Sequence, residues 1–367
     1  MSAGGGEGVT LAGSTAAFAL GLVLAVAPAS AEIRDGDRDL AIADCFSGGP
    51  SVLLNRGDGS FGPPSRTRSG QDACTVAAGD FNGDRRVDLV SVAYLEGGLT
   101  VFSGRGDGTF SVGEEYGTGG FVPQQIVVAD LDRDGDRDLA VLNTRPGNVA
   151  LLLGRGDGSF KPGGAVSLGP VAISLLAAKL NRDRFPDIAV TDSRGAVDVL
   201  LGKGDGSFRR AAPHPVGRNP EFVARGDVNG DRITDLVTAD SFAWPEGQVS
   251  LLYGRGDGTF RRRVRLYPYS EDPMLGGTGP PEGPAGIAVA DFDLDGRRDL
   301  AVPGFLASQV WILEQVRGSE FEQAGKHSVA THPEPLLADD FNGDCLPVAV
   351  PGNVPAVPGT PGMTQVS

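Results

Sequence analysis

The sequence predicts an all-β fold, a β-propeller of four-stranded blades, from three observations. Two short phrases, one acidic and one centred on Gly-Asp-Gly, alternate along the chain with a repeat near 49 residues. Short runs rich in Val and Leu lie between the phrases, and such runs bounded by turn residues are typical of strands. No stretch after Glu32 has a sustained helical period. Units of about 40 to 50 residues with four strands each indicate a propeller, whereas a β-solenoid, the alternative, usually has shorter repeats.

The acidic phrase sets the number of blades. Its copies begin at Asp80, Asp130, Lys179, Asp227, Asp291 and Asp340, at intervals of 50, 49, 48, 64 and 49 residues. A degenerate seventh copy begins at Ala31. The repeat count therefore predicts seven blades, of which the first and the last are degenerate.

The order of elements within a blade follows from the two phrases. In the copy at Asp80, strand A (75–79) leads through the acidic loop to strand B (88–93) and then to strand C (99–104). The Gly-Asp-Gly phrase then predicts a two-residue hairpin turn to strand D, because Asp-Gly supplies positive φ values. This phrase begins at Arg56, Arg105, Arg155, Lys203 and Arg255. Four copies read RGD, the integrin-recognition tripeptide, but turn chemistry accounts for the phrase without adhesion.

Two interpretations remain open for the N-terminus. Residues 11–27 are almost wholly apolar or small, and Ala29-Ser30-Ala31 has the form of a signal-peptidase site. The first ten residues, however, contain no Lys or Arg, so the segment could instead provide strands (8–13 and 21–27) that close the ring. The predicted organisation is a signal-like segment or closing strands (1–31), the propeller (32–351) and a Pro/Gly-rich tail (352–367). The apolar run is short for a membrane span.

The composition restricts the class of partner. The 367-residue chain has a net charge of −15, with 47 acidic and 32 basic side chains. Such a balance argues against nucleic-acid and anionic-membrane partners and favours cations. Hydrophobic residues make up 40% of the chain, which suffices for a core. We expect a monomer.

The acidic loops are predicted Ca²⁺ sites. Their pattern D-x-[DN]-x-D-x-x-x-D places oxygen ligands at positions 1, 3, 5 and 9, and hard carboxylate and amide oxygens suit Ca²⁺. Four intact loops predict about four ions. The ligands would be Asp80, Asn82, Asp84 and Asp88; Asp130, Asp132, Asp134 and Asp138; Asp227, Asn229, Asp231 and Asp235; and Asp291, Asp293, Asp295 and Asp299.

Two loops depart from this pattern. Lys179 occupies the first ligand position of its loop, where its ammonium would repel a cation. The hypothesis for that loop is a metal-free turn closed by salt bridges from Lys179 to its own acidic side chains. In the last loop Val348 replaces the ninth ligand, so Asp340, Asn342 and Asp344 are a weak site.

The alternation of DxDxDGxxDLAV loops with GDGTF turns resembles the FG-GAP (VCBS) repeats. These repeats build the seven-bladed propeller of integrin alpha chains and occur in many bacterial secreted proteins. The resemblance covers residues 31 to about 351. It implies a propeller and calcium, but no particular activity, since the family includes adhesion proteins, fungal lectins and non-catalytic parts of enzymes.

The predicted ligand face lies opposite the acidic loops. In an up-and-down blade the A–B and C–D loops share one face, and the B–C and D–A loops share the other. Two insertions, 241–247 and 267–284, fall in this second set of loops and contain Trp244, Tyr267 and Tyr269. Aromatic rings beside carboxylates suit sugars, so a glycan or a cell-surface protein is the expected partner. A decorative Pro-rich loop is the other interpretation.

Enzyme chemistry finds little support in the sequence. Only three His occur, and HExxH, GxSxG and phosphate-loop patterns are missing. A polysaccharide lyase or hydrolase and a non-catalytic scaffold remain the alternatives.

Three cysteines fit an extracellular, periplasmic or cell-surface protein with one disulfide, predicted between Cys45 and Cys74, with Cys345 free. The sequence thus predicts a secreted, calcium-binding adhesion or binding module.

Overall fold

The structure, a computed structural model, describes most of the chain between Val23 and Pro351. The described residues are 23–26, 38–43, 45, 48–58, 60–94, 97–169, 172–241, 248–266, 284, 286–304, 309–329, 336–340 and 347–351. They are strands and turns throughout, so the prediction of an all-β fold is confirmed. Within these ranges no helix is long and apolar enough to span a membrane.

The strands form successive antiparallel sheets in chain order, each one a blade. Blade 1 comprises β1 (Val23–Val26), β2 (Leu40–Ala43), β3 (Ser51–Leu53) and β4 (Ser65–Arg66); blade 2 comprises β5 (Thr75–Gly79), β6 (Asp88–Val92), β7 (Gly98–Gly104) and β8 (Phe110–Gly117). Blade 3 comprises β9 (Phe121–Ala129), β10 (Asp138–Arg145), β11 (Asn148–Gly154) and β12 (Phe160–Ser167).

The later blades follow the same order with two variations. Blade 4 comprises β13 (Ala172–Ala178), β14 (Asp187–Asp192), β15 (Ala196–Gly202) and an outer edge split into β16 (Phe208–Arg210) and β17 (His214–Pro215). Blade 5 comprises β18 (Pro220–Gly226), β19 (Asp235–Asp240), β20 (Gln248–Leu252) and β21 (Val264–Leu266); blade 6 comprises β22 (Ala288–Ala290), β23 (Asp299–Gly304), β24 (Gln309–Arg317) and β25 (Glu320–Ser328). A seventh sheet pairs β26 (Leu336–Asp339) with β27 (Val348–Pro351).

The core lies between neighbouring blades. The first strand of each sheet contacts the first strand of the next, from β5 through β9, β13, β18 and β22 to β26. Alternate residues of a middle strand pack into two different hydrophobic clusters, one on each side of the blade, because successive side chains of a strand point to opposite faces. In β10, Leu139 and Val141 pack against blade 2, whereas Ala140 and Leu142 pack against blade 4. This double burial explains why the middle strands are almost continuously apolar.

The two ends of the series of sheets lie beside each other. Arg38, just before β2, forms an ion pair with Asp339 in β26, with an Nε···Oδ2 distance of 3.5 Å. Strand β1 lies within the segment for which the sequence left two interpretations, and it pairs with β2 along its full length. This pairing makes β1 the first strand of blade 1, and the choice between a signal-like segment and ring-closing strands for residues 1–31 stays a prediction. The count of seven closed blades stays a prediction.

The Gly-Asp-Gly phrases form the predicted hairpins, but with a different turn from the one expected. In blade 2 the Arg105 N–H donates to the Thr109 carbonyl (3.0 Å), so three residues lie between them rather than two. The positive φ values belong to Gly106 and Gly108, while the Asp107 carboxylate accepts the Thr109 N–H (3.0 Å) and hydroxyl (2.6 Å). Blades 3, 4 and 5 repeat this geometry. The carboxylate of each turn aspartate therefore accepts hydrogen bonds from the Ser or Thr of its own turn.

These turns also join the blades. The second glycine of a turn donates its N–H to the carbonyl of the second acidic-loop residue in the preceding blade. Three pairs do so, at 2.8 to 3.2 Å: Gly158 with Phe81, Gly206 with Leu131, and Gly258 with Leu180. Blade 6 has no such phrase, and there the buried Gln315 side chain donates to the equivalent carbonyl, that of Val228 (2.8 Å). A side chain thus replaces the missing turn.

We expect Gln315→Ala to lower the free energy of unfolding by about 2 kcal/mol, because the buried Val228 carbonyl would lose its donor. The Gln315 side chain also accepts the Arg298 N–H (3.1 Å), and that contact would be lost as well. Chemical denaturation measures the change. The exposed Gln323 in β25 supplies the matched control, Gln323→Ala, which should stay within about 0.5 kcal/mol of the parent. Equal losses for both variants would contradict the assignment.

Candidate functional site

The ninth residue of each acidic loop is a buried structural acceptor. One oxygen of this aspartate accepts the N–H of the second loop residue, and the other accepts an N–H from the end of strand C or just beyond it. Five aspartates make both bonds, at 2.6 to 3.0 Å: Asp88, Asp138, Asp187, Asp235 and Asp299. Spacing alone assigned four of them to metal binding only. Their first role in this structure is to tie the acidic loop to strand C.

Two acidic loops bring carboxylates together. Asp130, Asp132 and Asp138 each offer an oxygen within 4.8 Å of the others, and Asp291, Asp293 and Asp295 do the same. The fourth predicted ligand of each loop, Asp134 in one and Asp299 in the other, is not part of its cluster. The Asp134 carboxylate accepts the Asp136 N–H (2.9 Å), and Asp299 accepts backbone N–H groups.

The residues of these two loops fit a cation. Oδ1 of Asp130 and Oδ1 of Asp291 are buried and have no hydrogen-bond partner within the described ranges. An unpaired buried carboxylate oxygen is costly, and a hard cation would satisfy it. The two clusters form ion pairs with Lys161, whose Nζ is 4.0 Å from Asp132 Oδ2, and with Arg297, which pairs with Asp295.

The other two intact loops satisfy their first aspartate internally. Asp80 accepts the Gly83 N–H (2.8 Å) with one oxygen and the Arg85 N–H (2.9 Å) with the other. Asp227 likewise uses both oxygens, accepting the Gly230 and Arg232 N–H groups (both 2.7 Å). A cation would have to share these oxygens with backbone donors. We therefore expect these two loops to bind it more weakly.

Each of these four loops needs two left-handed residues, at positions 4 and 6. The loops at Asp80 and Asp227 place glycine at position 4, and the loops at Asp130 and Asp291 place it at position 6. The other position is filled by a residue with a side chain, at φ values of 60 to 64°: Arg85, Arg133, Arg232 and Leu294. A side chain in this conformation costs about 1 to 2 kcal/mol.

Leu294→Gly is therefore expected to raise the free energy of unfolding by about 1 kcal/mol, since Leu294 has φ 60° and is 53% exposed. Urea unfolding of metal-free protein measures the difference. Leu294→Ala removes the same exposed side chain but keeps the strained conformation, so it should show no comparable gain. A gain of the same size for alanine would mean that loss of the side chain, not relief of strain, stabilises the loop.

The hypothesis of a salt-bridged loop at Lys179 is wrong. Lys179 is exposed and forms no ion pair within 4.0 Å in the part of the chain that the structure describes. The loop is closed by backbone donors instead: Asp183 accepts the Phe185 N–H and Asn181 accepts the Asp183 N–H, both at 2.8 Å. An exposed ammonium keeps its hydration, whereas a salt bridge would gain little at the surface.

Several predicted residues lie outside the described residues. They are Asn342, Asp344, Cys345, Trp244, Tyr267 and Tyr269. Asp340 is described, and its N–H donates to Asp339 (2.9 Å). Cys45 and Cys74 form a disulfide, the pair that the sequence predicts, and it joins the region after β2 to the start of blade 2.

A buried carboxylate at the end of β19 was missed by sequence reasoning. Asp240 ends β19 and accepts the Ser250 hydroxyl, the Gln248 amide and the Gly217 N–H on one oxygen, and the Thr238 hydroxyl on the other. Burial raises its pKa. These bonds join the ends of strands B and C to the loop that enters blade 5. In the sequence Asp240 stands in the run TADS (238–241), and nothing in that run indicates this network.

The stability of metal-free protein should fall as the pH rises from 5 to 7.5. Burial raises the pKa of Asp138 to about 6 and that of Asp235 to about 7. These folded-state pKa values exceed those of the unfolded chain. The stability that the two protonated aspartates contribute is therefore fully present below about pH 4, and it is lost as the pH rises through about 6 to 7. The turn aspartates, whose pKa is lowered chiefly by Ser and Thr hydroxyls, do not titrate in this window.

Thermal melts at pH 5, 6 and 7.5 measure this dependence, and we expect the melting temperature to drop by at least about 3 °C. Asp235→Asn removes one of these two aspartates and should flatten the profile. Asp183→Asn, an exposed change in the same type of loop, should leave the profile unchanged. A melting temperature that rises over this interval would contradict the assignment.

Comparison with known proteins identifies the family. The fold and its loops define a repeat protein, a β-propeller with acidic loops between strands A and B. The model of the FG-GAP-like repeat matches residues 34–91, 80–141, 130–190, 179–238 and 227–302, and the chain belongs to this family. No curated protein sequence matches the chain.

Solved structures share the fold at low sequence identity. A lectin of Agrocybe aegerita that recognises non-reducing terminal N-acetylglucosamine is 19% identical, with a TM-score of 0.54 over 84% of this chain and 79% of that one. A Bacteroides uniformis protein provisionally assigned as a 6-phosphogluconolactonase is 13% identical, with a TM-score of 0.59 over 84% and 86%. Sqt1 of Saccharomyces cerevisiae is 9% identical, with a TM-score of 0.57 over 90% and 80%. At these identities the likeness establishes the fold alone.

Proposed function

We propose that the chain is a calcium-stabilised glycan-binding module that acts outside the cytoplasm. The observation that carries the proposal is the division between the two faces. On one face, the polar groups of the repeated phrases form hydrogen bonds within the fold. Asp187 and its equivalents accept backbone N–H groups, and Asp107 and its equivalents accept N–H groups of their own turns. Recognition is then left to the non-repeated loops of the other face, where loops carry function on a rigid scaffold.

A glycan is the partner that the chemistry of those loops favours. The insertions add Trp244, Tyr267 and Tyr269, with carboxylates beside them. Flat rings stack on the apolar faces of sugars, and the carboxylates accept hydrogen bonds from sugar hydroxyls. The Agrocybe aegerita lectin, which shares the fold, recognises terminal N-acetylglucosamine and supports a sugar as the class of ligand.

Calcium would act as a structural ion in this module. The unpartnered oxygens of Asp130 and Asp291 support binding in those two loops. The ion would offset the repulsion between neighbouring carboxylates and hold the loops that contact the next blade. The disulfide between Cys45 and Cys74 supports a location outside the reducing cytosol, where such bonds persist.

Glycan-array binding of the full chain in the presence of Ca²⁺ tests the proposal. We expect binding to a defined set of glycans and loss of that binding in Trp244→Ala, with an unchanged melting temperature. Trp311→Phe, a change at a buried position of β24, serves as the control for a tryptophan substitution in the core. Cleavage of a bound glycan would contradict the proposal and identify the chain as an enzyme. Binding to a cell-surface protein that carries no glycan would also contradict it and identify the chain as a protein-binding adhesion module.

A further inference from the structure

An exposed aromatic ring lies beside an arginine on the face opposite the acidic loops. Phe121 opens β9 and is 61% exposed, and its Cα partner in the ladder is Arg145 at the end of β10. Residues directly opposite each other in an antiparallel pair present their side chains on the same sheet face, with Cβ atoms about 4.5 to 5.5 Å apart. Asp130 lies at the other end of β9, roughly 30 Å away at the usual rise of a strand. The pair is therefore remote from the metal loops.

Arg145 has no acidic partner among the described residues. It is exposed and forms no ion pair within 4.0 Å there. A guanidinium left in this state can bind an external carboxylate with two parallel hydrogen bonds.

The backbone next to Phe121 is strained. Val122 has φ 55°, a conformation that a β-branched residue rarely adopts. The equivalent residue of blade 5 is Asn219, eight residues before its acidic loop as Val122 is before Asp130, and it has φ 50°. Asparagine tolerates this conformation, whereas valine does not. Blades 3 and 5 both place a left-handed residue here, and blade 3 does so with an unfavourable one; such strain is typical of functional sites.

The strained segment is also held rigidly. The Val122 N–H donates to the Tyr94 carbonyl (3.1 Å), and its carbonyl accepts the Thr144 hydroxyl (3.0 Å). Beneath it, the buried Thr118 and Asn143 side chains bond to each other (2.9 Å). The backbone next to Phe121 is thus held in place, so ligand binding there costs little backbone entropy.

We propose that Phe121 and Arg145 form a subsite for a saccharide that carries a carboxylate, a uronic acid residue. The sugar ring stacks on Phe121 and the carboxylate pairs with Arg145. This inference rests on the proposed glycan-binding function and names a ligand class for a second place on the same face. A neutral sugar would use only the stacking half of the pair, so the subsite discriminates in favour of the acidic residue.

Titration calorimetry of the full chain with Ca²⁺ tests the subsite. The probes are oligosaccharides of galacturonic, glucuronic and mannuronic acid, each with its carboxyl-reduced neutral counterpart. We expect at least one uronate to bind, its neutral counterpart to bind about tenfold more weakly or worse, Arg145→Ala to lose about tenfold or more, and Phe121→Ala about fivefold or more. Two controls, Arg155→Ala at an exposed turn of the same blade and Val112→Ala at an exposed apolar residue, should stay within about twofold.

The outcomes separate this subsite from the proposed function. Uronate binding that survives both Phe121→Ala and Arg145→Ala overturns the subsite. Binding of neutral glycans alone, lost in Trp244→Ala, also overturns it and leaves the proposed function standing. Failure to bind any glycan, acidic or neutral, overturns both. Melting temperatures of the variants exclude unfolding as the cause of a loss.

Discussion

Asp187→Ala is expected to lower the free energy of unfolding by about 3 kcal/mol or more. The Asp187 carboxylate is fully buried and accepts the N–H groups of Leu180 (2.8 Å), Asn181 (3.3 Å) and Gly202 (2.9 Å). Each buried donor left without an acceptor costs about 1 to 3 kcal/mol. Burial also raises the pKa of Asp187, so its charge carries a cost, but removing the acceptor outweighs the relief.

Asp187 isolates the structural role of the ninth aspartate from metal binding, because its loop begins with Lys179. Chemical denaturation with Ca²⁺ and with EDTA should therefore give the same loss. Asp187→Asn should lose less than alanine, since one amide oxygen still accepts while the amide N–H₂ faces a backbone donor. The exposed Asp183 gives the control Asp183→Asn. A loss below about 1 kcal/mol for Asp187→Ala would contradict the role.

Calcium is expected to raise the melting temperature substantially, with about four ions bound per chain. A ligand that binds only the folded state at a hundred times its Kd adds about 2.7 kcal/mol per site. The loops at Asp130 and Asp291 should fill first, because their first aspartate keeps an unpartnered oxygen. The loops at Asp80 and Asp227 should fill later, because backbone N–H groups already occupy both oxygens of the first aspartate.

Elemental analysis and melting curves during a Ca²⁺ titration measure both the count and the order of filling. Asp132→Asn and Asp293→Asn should each remove one of the early ions. Asp183→Asn, in the loop that begins with Lys179, should leave the count unchanged. A count that does not fall in the first two variants, or filling of all loops at the same concentration, would overturn the distinction between the loops.

The repeat determines most of the fold. Its period, the apolar runs and the turn phrases predicted the sheets, their strand order and the acidic loops, because these are local features that recur in every blade. The turn phrase was misjudged by one residue, since its positive φ values lie on Gly106 and Gly108 rather than on the Asp-Gly pair. The prediction of a salt bridge at Lys179 was wrong because sequence proximity does not show which way a surface side chain points.

By itself, the sequence determined the family, the all-β repeat architecture, the acidic loops and the pairing of Cys45 with Cys74, since each depends on spacing along the chain. Only the tertiary structure decided how the polar groups are used. The ninth aspartates accept N–H groups from strand C, Gln315 replaces a missing turn for the neighbouring blade, and Phe121 meets Arg145 across a ladder. These partners are 15 to 87 residues apart in sequence, and only packing brings them together.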